Sequence, residues 1–251
     1  MNVAKFILRG IPSLFFRLGY EKSFSPDLAK HPEHELVKPR ATYSPWLEDE
    51  AFKKLFNSVA PLTKVDRYRC YELWTLVEQA SKLEGSLIEV GTWRGGTGAI
   101  LAGKADLCGI DDPVYLCDTF EGVVKAGPKD SKYKGGEHAD TSIQQVEELI
   151  HERLHLENVR ILQGIFPEES SHLIEDSRFR LCHIDVDVYQ SARDIVDWIW
   201  DRMVVGGLII YDDYGFSGTD GITKHVDEQR GLSDRLVIHN LNGHAVIIKI
   251  G

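Results

Sequence analysis

The chain has 251 residues, a formal net charge of -10 and a pI near 5.5. An acidic balance of that size argues against a nucleic-acid binder held by phosphate neutralisation. Hydrophobic content of 43% and charged content of 27% fit an ordinary globular domain with one sizeable core.

Met1 to Tyr20 carries Phe6, Ile7, Leu8, Leu14, Phe15, Phe16 and Leu18, interrupted by Arg9, Gly10, Pro12 and Arg17. No apolar run there reaches spanning length and no small-residue cleavage site follows, so neither a membrane span nor a signal peptide is expected. An amphipathic arm that packs on a partner subunit is expected ahead of one resting on a membrane, and with it a homo-oligomer. Ser23 to Pro45 lacks periodicity and reads as irregular. Trp46 to Val59 and Lys64 to Leu83 have helical spacing, with Pro61 between them. Tyr43 and Trp46 put aromatics beside a turn signal, in a segment placed to act as a lid or an interface.

Strands and helices then alternate. Ser86 to Val90, Val114 to Asp118, Val159 to Gln163, Leu181 to Asp187 and Leu208 to Asp213 read as strands. Helices are expected from the glycine-rich turn at Gly91 to about Lys104, over Ile143 to Leu154, from about Ser191 to Met203, and from about Gly221 to Arg230. Thr119 to Thr141 is a polar loop too long to be a plain connection, which suggests function. Asn242-Gly243, between Arg235 to His239 and His244 to Ile250, signals a hairpin. The alternation implies an α/β, doubly wound, mostly parallel sheet with an antiparallel C-terminal hairpin strand. Cys70, Cys108, Cys117 and Cys182 form no C-x-x-C pair, consistent with a reducing, cytoplasmic setting and no zinc site.

Two of the strands end abruptly in carboxylates: His183-Ile184-Asp185-Val186-Asp187 and Ile210-Tyr211-Asp212-Asp213. Ligands of open α/β sheets bind outside the carboxyl ends of the strands. If the two strands are neighbours, Asp185, Asp212 and Asp213 converge, and hard oxygen donors call for Mg²⁺, Mn²⁺ or Ca²⁺. The alternative is that these acids cap helices or sit in solvent.

The turn Gly91-Thr92-Trp93-Arg94-Gly95-Gly96 offers backbone N–H groups at a helix N-terminus, but its spacing is not that of the dinucleotide fingerprint. Asp118, at the next strand end, can accept ribose hydroxyls. Glu89, two residues before the turn, would repel a pyrophosphate but accept from an ammonium group. Together they suit S-adenosylmethionine, which has an amino-acid head, a ribose and no phosphate.

Four ordered blocks resemble the macrocin O-methyltransferase family: Leu87 to Gly96, Asp118 to Gly122, His183 to Tyr189, and Gly206 to Gly215. The resemblance covers roughly Leu87 to Arg230 and loosens over Met1 to Pro61. It implies a Rossmann-like class I methyltransferase domain over residues 62–251, preceded over residues 1–61 by an arm, an irregular segment and a helix. It implies S-adenosylmethionine as donor, a divalent metal, usually Mg²⁺, and a small-molecule, sugar-bearing acceptor. Asp185, Asp212 and Asp213 are similar to that family's metal ligands, and Asp187 matches its proposed general base. Glu89 and Asp118 match its methionine-head and ribose contacts. The expected donor-binding set is Glu89, Gly91, Thr92, Arg94, Gly95, Gly96, Asp118, Phe120, Gln163, Gly164, Ile165, Phe166 and Asp185. A nicotinamide-dependent sugar oxidoreductase and a non-catalytic module that keeps the fold are the alternatives.

Overall fold

The computed structural model describes residues 41–175 and 178–251, with His34, Glu35 and Val37. The expectations for the N-terminal arm and most of the irregular segment lie outside the described residues. Arg40–Gly251 forms one compact unit. Among the described residues, no helix is long and apolar enough to cross a membrane.

The helices before the sheet start at acidic caps. Asp49 accepts the Phe52 N–H ahead of α1 (Glu50–Val59), and Asp66 accepts from Tyr68 and Arg69 ahead of α2 (Arg67–Ala80). Phe52, Phe56 and Val59 of α1 enter the same core as Leu73, Trp74 and Val77 of α2. Trp46 packs edge-on against Tyr68 and Tyr71, whereas Tyr43 is 83% exposed.

Among the described residues, seven strands then build one sheet in the order β3-β2-β1-β4-β5-β7-β6. They are β1 (Ser86–Val90), β2 (Val114–Asp118), β3 (Val159–Gln163), β4 (Phe179–Ile184), β5 (Met203–Tyr211), β6 (Arg235–His239) and β7 (Ala245–Lys249). β1 to β5 pair in parallel, and β7 runs antiparallel between β5 and β6. The predicted hairpin is therefore present, with its second strand inserted next to β5. One face of the sheet is covered by α1, α2, α3 (Gly96–Leu107) and α4 (Ile143–Glu147), the last continued by a π-helical turn over Glu148–Arg153. The other is covered by α5 (Tyr189–Ile199) and α6 (Asp220–Gln229). Strand order reverses between β1 and β4, so a crevice opens at the carboxyl ends of these central strands.

Candidate active site

Gly91 leaves β1 with φ +94°, and a Cβ there would lie 1.7 Å from the Asp185 carbonyl oxygen. Only glycine lets the β1 turn cross so close to the end of β4. The turn then places Trp93 at φ +47° and Gly95 at φ +84° before α3 starts. Asp118 holds this shape: its Oδ2 accepts the Trp93 N–H at 2.7 Å, and its Oδ1 accepts the Phe120 N–H at 2.7 Å. Burial raises the Asp118 carboxyl, and the backbone N–H groups oppose that rise.

Glu89 is fully buried at the floor of the crevice. Its Oε1 meets His183 Nδ1 at 2.9 Å, and its Oε2 has no hydrogen-bond partner. The Thr92 hydroxyl is likewise buried without a partner. A buried polar atom left unpaired is costly, so these orphans mark where a ligand's donors fit.

Other residues of the expected donor-binding set lie around this floor with different exposure. Arg94 is engaged by Asp140 at 2.7 Å and stacks on Trp93, and Gln163 is exposed. The Gly164 N–H donates to the Asp118 carbonyl at 3.0 Å, and the Ile165 N–H donates to Glu169 Oε2 at 2.8 Å. The Phe166 ring is turned into the core, edge-on to Trp198. Phe120 is buried at φ +57°.

The acids meet as the strand ends predict. β4 and β5 are parallel neighbours, and donor oxygens of Asp185, Asp212 and Asp213 lie within 4.8 Å of one another. Burial and the charges of Asp212 and Asp213 push the Asp185 carboxyl well above its usual range. Burial and the charges of Asp187 and Asp212 do the same to Asp213. Burial also acts on Asp212, but Arg69, His183 and His244 outweigh it and hold that carboxyl far below. The cluster thus mixes one firmly ionised carboxylate with two that resist ionising beside it, the donor chemistry a divalent cation relieves. His183, Asp212 and His244 form a second grouping of donors within the same distance. Burial lowers the His183 imidazole, but Asp212 and Glu89 raise it to about 9.

Asp187 departs from the sequence reading in its backbone. β4 ends at Ile184, and the Val188 N–H donates to the Val186 carbonyl at 2.7 Å around Asp187 at φ +64°. That is a tight three-residue turn, not extended strand, so the alternation of strand side chains does not aim Asp187. Its orientation comes instead from the Asp187 N–H, which donates to Asp213 Oδ2 at 3.2 Å, and from the buried Tyr133 hydroxyl at its carboxylate. His138 Nε2 lies 3.9 Å away. Both Tyr133 and His138 come from the long loop after β2 that the sequence marks as functional.

Sequence reasoning misses Arg69, Glu72 and His244, which surround Asp212. Arg69 Nη1 donates to Asp212 Oδ2 at 2.5 Å, His244 Nε2 stands 2.9 Å from Asp212 Oδ1, and Glu72 Oε2 stands 2.9 Å from His244 Nδ1. The available signal was an Arg and a Glu three apart on α2, the same face of one helix, with a His directly after the Asn-Gly turn.

The sequence pattern of the family described as Macrocin-O-methyltransferase (TylF) matches residues 56–247. The chain belongs to this family. It is 28% identical over 167 residues to the 8-demethyl-8-(2,3-dimethoxy-alpha-L-rhamnosyl)-tetracenomycin-C 4'-O-methyltransferase of Streptomyces olivaceus, which covers 62% of this chain and 62% of that one. It is 29% identical over 145 residues to the demethyldecarbamoylnovobiocin O-methyltransferase of Streptomyces niveus, over 53% of this chain and 54% of the relative. The match therefore spans less than two thirds of either curated relative. The fold is similar to that of the O-methyltransferase NovP, with a TM-score of 0.62 at 24% identity over 73% of this chain and 80% of NovP. It is also similar to CalS11, a calicheamicin methyltransferase, with a TM-score of 0.59 at 12% identity over 86% of this chain and 100% of CalS11. The expected class I methyltransferase fold is thus present.

Proposed function

We propose that this macrocin O-methyltransferase family member transfers a methyl group from S-adenosylmethionine to a hydroxyl of a sugar or sugar-bearing natural product, with a divalent cation such as Mg²⁺. The observation that carries the reading is the crevice itself. An unpaired, buried Glu89 oxygen lies against the first turn of α3, next to Gly98, and three clustered carboxylates lie at the neighbouring strand ends. Glu89 Oε2 is chemically suited to the donor's ammonium, and Asp118, an acceptor at the end of β2, to the ribose hydroxyls. A carboxylate at Glu89 disfavours the pyrophosphate of a nicotinamide dinucleotide, so the oxidoreductase alternative is not adopted. The relatives' names support a sugar hydroxyl as acceptor: one is a 4'-O-methyltransferase of a rhamnosyl compound, and CalS11 is described as a TDP-rhamnose 3'-O-methyltransferase.

Asp185, Asp212 and Asp213 would hold the cation, whose bound charge makes a sugar hydroxyl more acidic. Asp187 is the proton acceptor. Burial raises its carboxyl, with Tyr133 and His138 opposing the rise, so it is a stronger base than an exposed aspartate. Its left-handed turn fixes the carboxylate beside the cluster, and Tyr133 holds it there. The chain's remaining contribution is positioning, by the glycine turn and by the loop carrying Tyr133 and His138.

The test is mass spectrometry of sugar-bearing acceptors incubated with the full chain and methyl-labelled S-adenosylmethionine, before and after chelation. Label should appear in an acceptor hydroxyl, vanish on chelation and return with Mg²⁺. Failure to bind S-adenosylmethionine in a titration would remove the methyltransfer reading. Undiminished turnover after exhaustive chelation would remove the cation alone.

A further inference from the structure

We infer that Arg69 and His244 are positioning residues that fix the Asp212 carboxylate for the cation, an inference that rests on the cation reading above. Asp212 is the first residue beyond β5, anchored by its own N–H to the Ile184 carbonyl at 3.0 Å. An aspartate's terminal torsion is broad, so the backbone anchor alone does not set the carboxylate's rotation. Two donors from different elements do. Arg69 Nη1 takes Oδ2 at 2.5 Å, and the His244 ring takes Oδ1 at 2.9 Å. Each oxygen keeps a further lone pair, and one of them lies within 4.8 Å of the donors of Asp185 and Asp213.

Both donors are themselves clamped. Arg69 also bonds the Asp212 carbonyl at 3.1 Å and Asp66 Oδ2 at 2.8 Å, and its guanidinium lies 5.0 Å from the centre of the Phe216 ring. A Cβ at Gly243 would lie 3.4 Å from Arg69 Cδ and 2.4 Å from the Phe216 ring, so the hairpin turn closes directly over this stack. His244 is held through Nδ1 by Glu72, whose carboxylate is fixed in turn by Asn240 and Asn242. Arg69 and Glu72 are three apart on α2, so a single helix face controls both oxygens of Asp212. A charge-only role for Arg69 predicts the reverse of a positioning role. A cation next to a metal site repels the metal, whereas a lost orienting bond loosens its ligand. Removal of partners that orient a ligating group typically costs about 10–100-fold in metal affinity.

The experiment measures Mn²⁺ binding by electron paramagnetic resonance, S-adenosylhomocysteine binding by calorimetry and thermal unfolding on the full chain. The variants are Arg69→Lys, His244→Leu and His244→Gln. Arg69→Lys keeps the charge and loses the two-pronged grip. The expected result is Mn²⁺ binding about 10–100-fold weaker in Arg69→Lys and His244→Leu at unchanged S-adenosylhomocysteine affinity. His244→Gln, which retains a donor for Asp212, recovers part of the loss. If Arg69→Lys does not fold, the two His244 variants decide. Mn²⁺ binding as tight as wild type or tighter in the variants overturns the inference and leaves the cation reading standing. Parallel loss of S-adenosylhomocysteine and Mn²⁺ affinity also overturns it, because the role is then general support of the fold. A wild-type chain that binds no Mn²⁺ removes the cation reading, and the inference with it.

Discussion

Gly98 sits inside α3, where replacing glycine by alanine ordinarily stabilises a helix by about 0.5–1 kcal/mol. Here the opposite is expected. An added Cβ would lie 2.7 and 2.8 Å from the two methyl groups of Leu116 and 2.8 Å from Glu89 Oε2. Leu116 is wholly buried on β2 and paired in register with Glu89 on β1, so the leucine has no room to retreat. Overpacking of this kind costs about 1–3 kcal/mol, and a rigid neighbour favours the upper end. Subtracting the helix gain leaves Gly98→Ala less stable by about 2 kcal/mol, a fall in Tm of about 4–8 °C for a chain of this size. Calorimetric melting measures this directly. The displaced Glu89 oxygen is also the one assigned to the donor's ammonium, so S-adenosylmethionine affinity should fall with it, which an isothermal titration of the same variant reads. A Gly98→Ala variant that melts at or above the wild-type temperature would refute the packing argument. One that melts lower but binds the donor normally would refute the role given to Glu89.

Asp118→Asn leaves one acceptor oxygen for two backbone N–H groups, so urea unfolding should show a loss of about 1.5–3 kcal/mol together with weaker S-adenosylmethionine binding. An affinity change alone, without the stability loss, would contradict its role in shaping the turn. Burial lowers His225 from 6.5 to about 4, so the folded state resists a proton that the unfolded chain accepts. Stability from this group is present above about pH 6.5 and lost as pH falls towards 4, by up to about 3 kcal/mol. His225→Phe should flatten that part of the stability profile in denaturant titrations at stepped pH. Asp187→Asn should lower kcat by about 10²–10⁴-fold in steady-state assays while raising the melting temperature of the cation-free protein, because it removes a charge that the folded state disfavours. A variant that is inactive but no more stable would show that the charge is already compensated.

Where the chain obeys local rules, its sequence predicts the fold closely. Ser86–Val90, Val114–Asp118 and Val159–Gln163 are strands with the expected ends, because continuous apolar runs bounded by turn residues have few alternatives. The acids at the ends of β4 and β5 meet because parallel neighbours must end on the same side of a sheet. The clamp on Asp212 is different. Arg69 is separated from Asp212 by 143 positions, and nothing in the periodicity of α2 distinguishes a buried guanidinium from a solvated one. His244 follows a turn whose sequence predicts a hairpin, but the strand that slots in beside β5 becomes evident only when the sheet is assembled.

The strand expected to run on to Asp187 stops at Ile184, for a reason that itself marks the site. Extended backbone is the cheapest continuation of a strand, and the chain leaves it here. Trp93, Phe120, His138 and Asp187 all hold positive φ around the crevice, at 47°, 57°, 65° and 64°. Left-handed backbone at a non-glycine residue costs on the order of 1–3 kcal/mol and persists only where the surroundings over-determine it. Here they do: Asp118 accepts the N–H of Trp93 and of Phe120, and Asp213 accepts that of Asp187. Each of these carboxylates thus fixes strained backbone beside the crevice. The residues assigned to chemistry and those that set its geometry are therefore the same acids, so substituting them disturbs shape and reactivity together. Arg69 and His244, which touch Asp212 without themselves belonging to the acid cluster, separate the two effects.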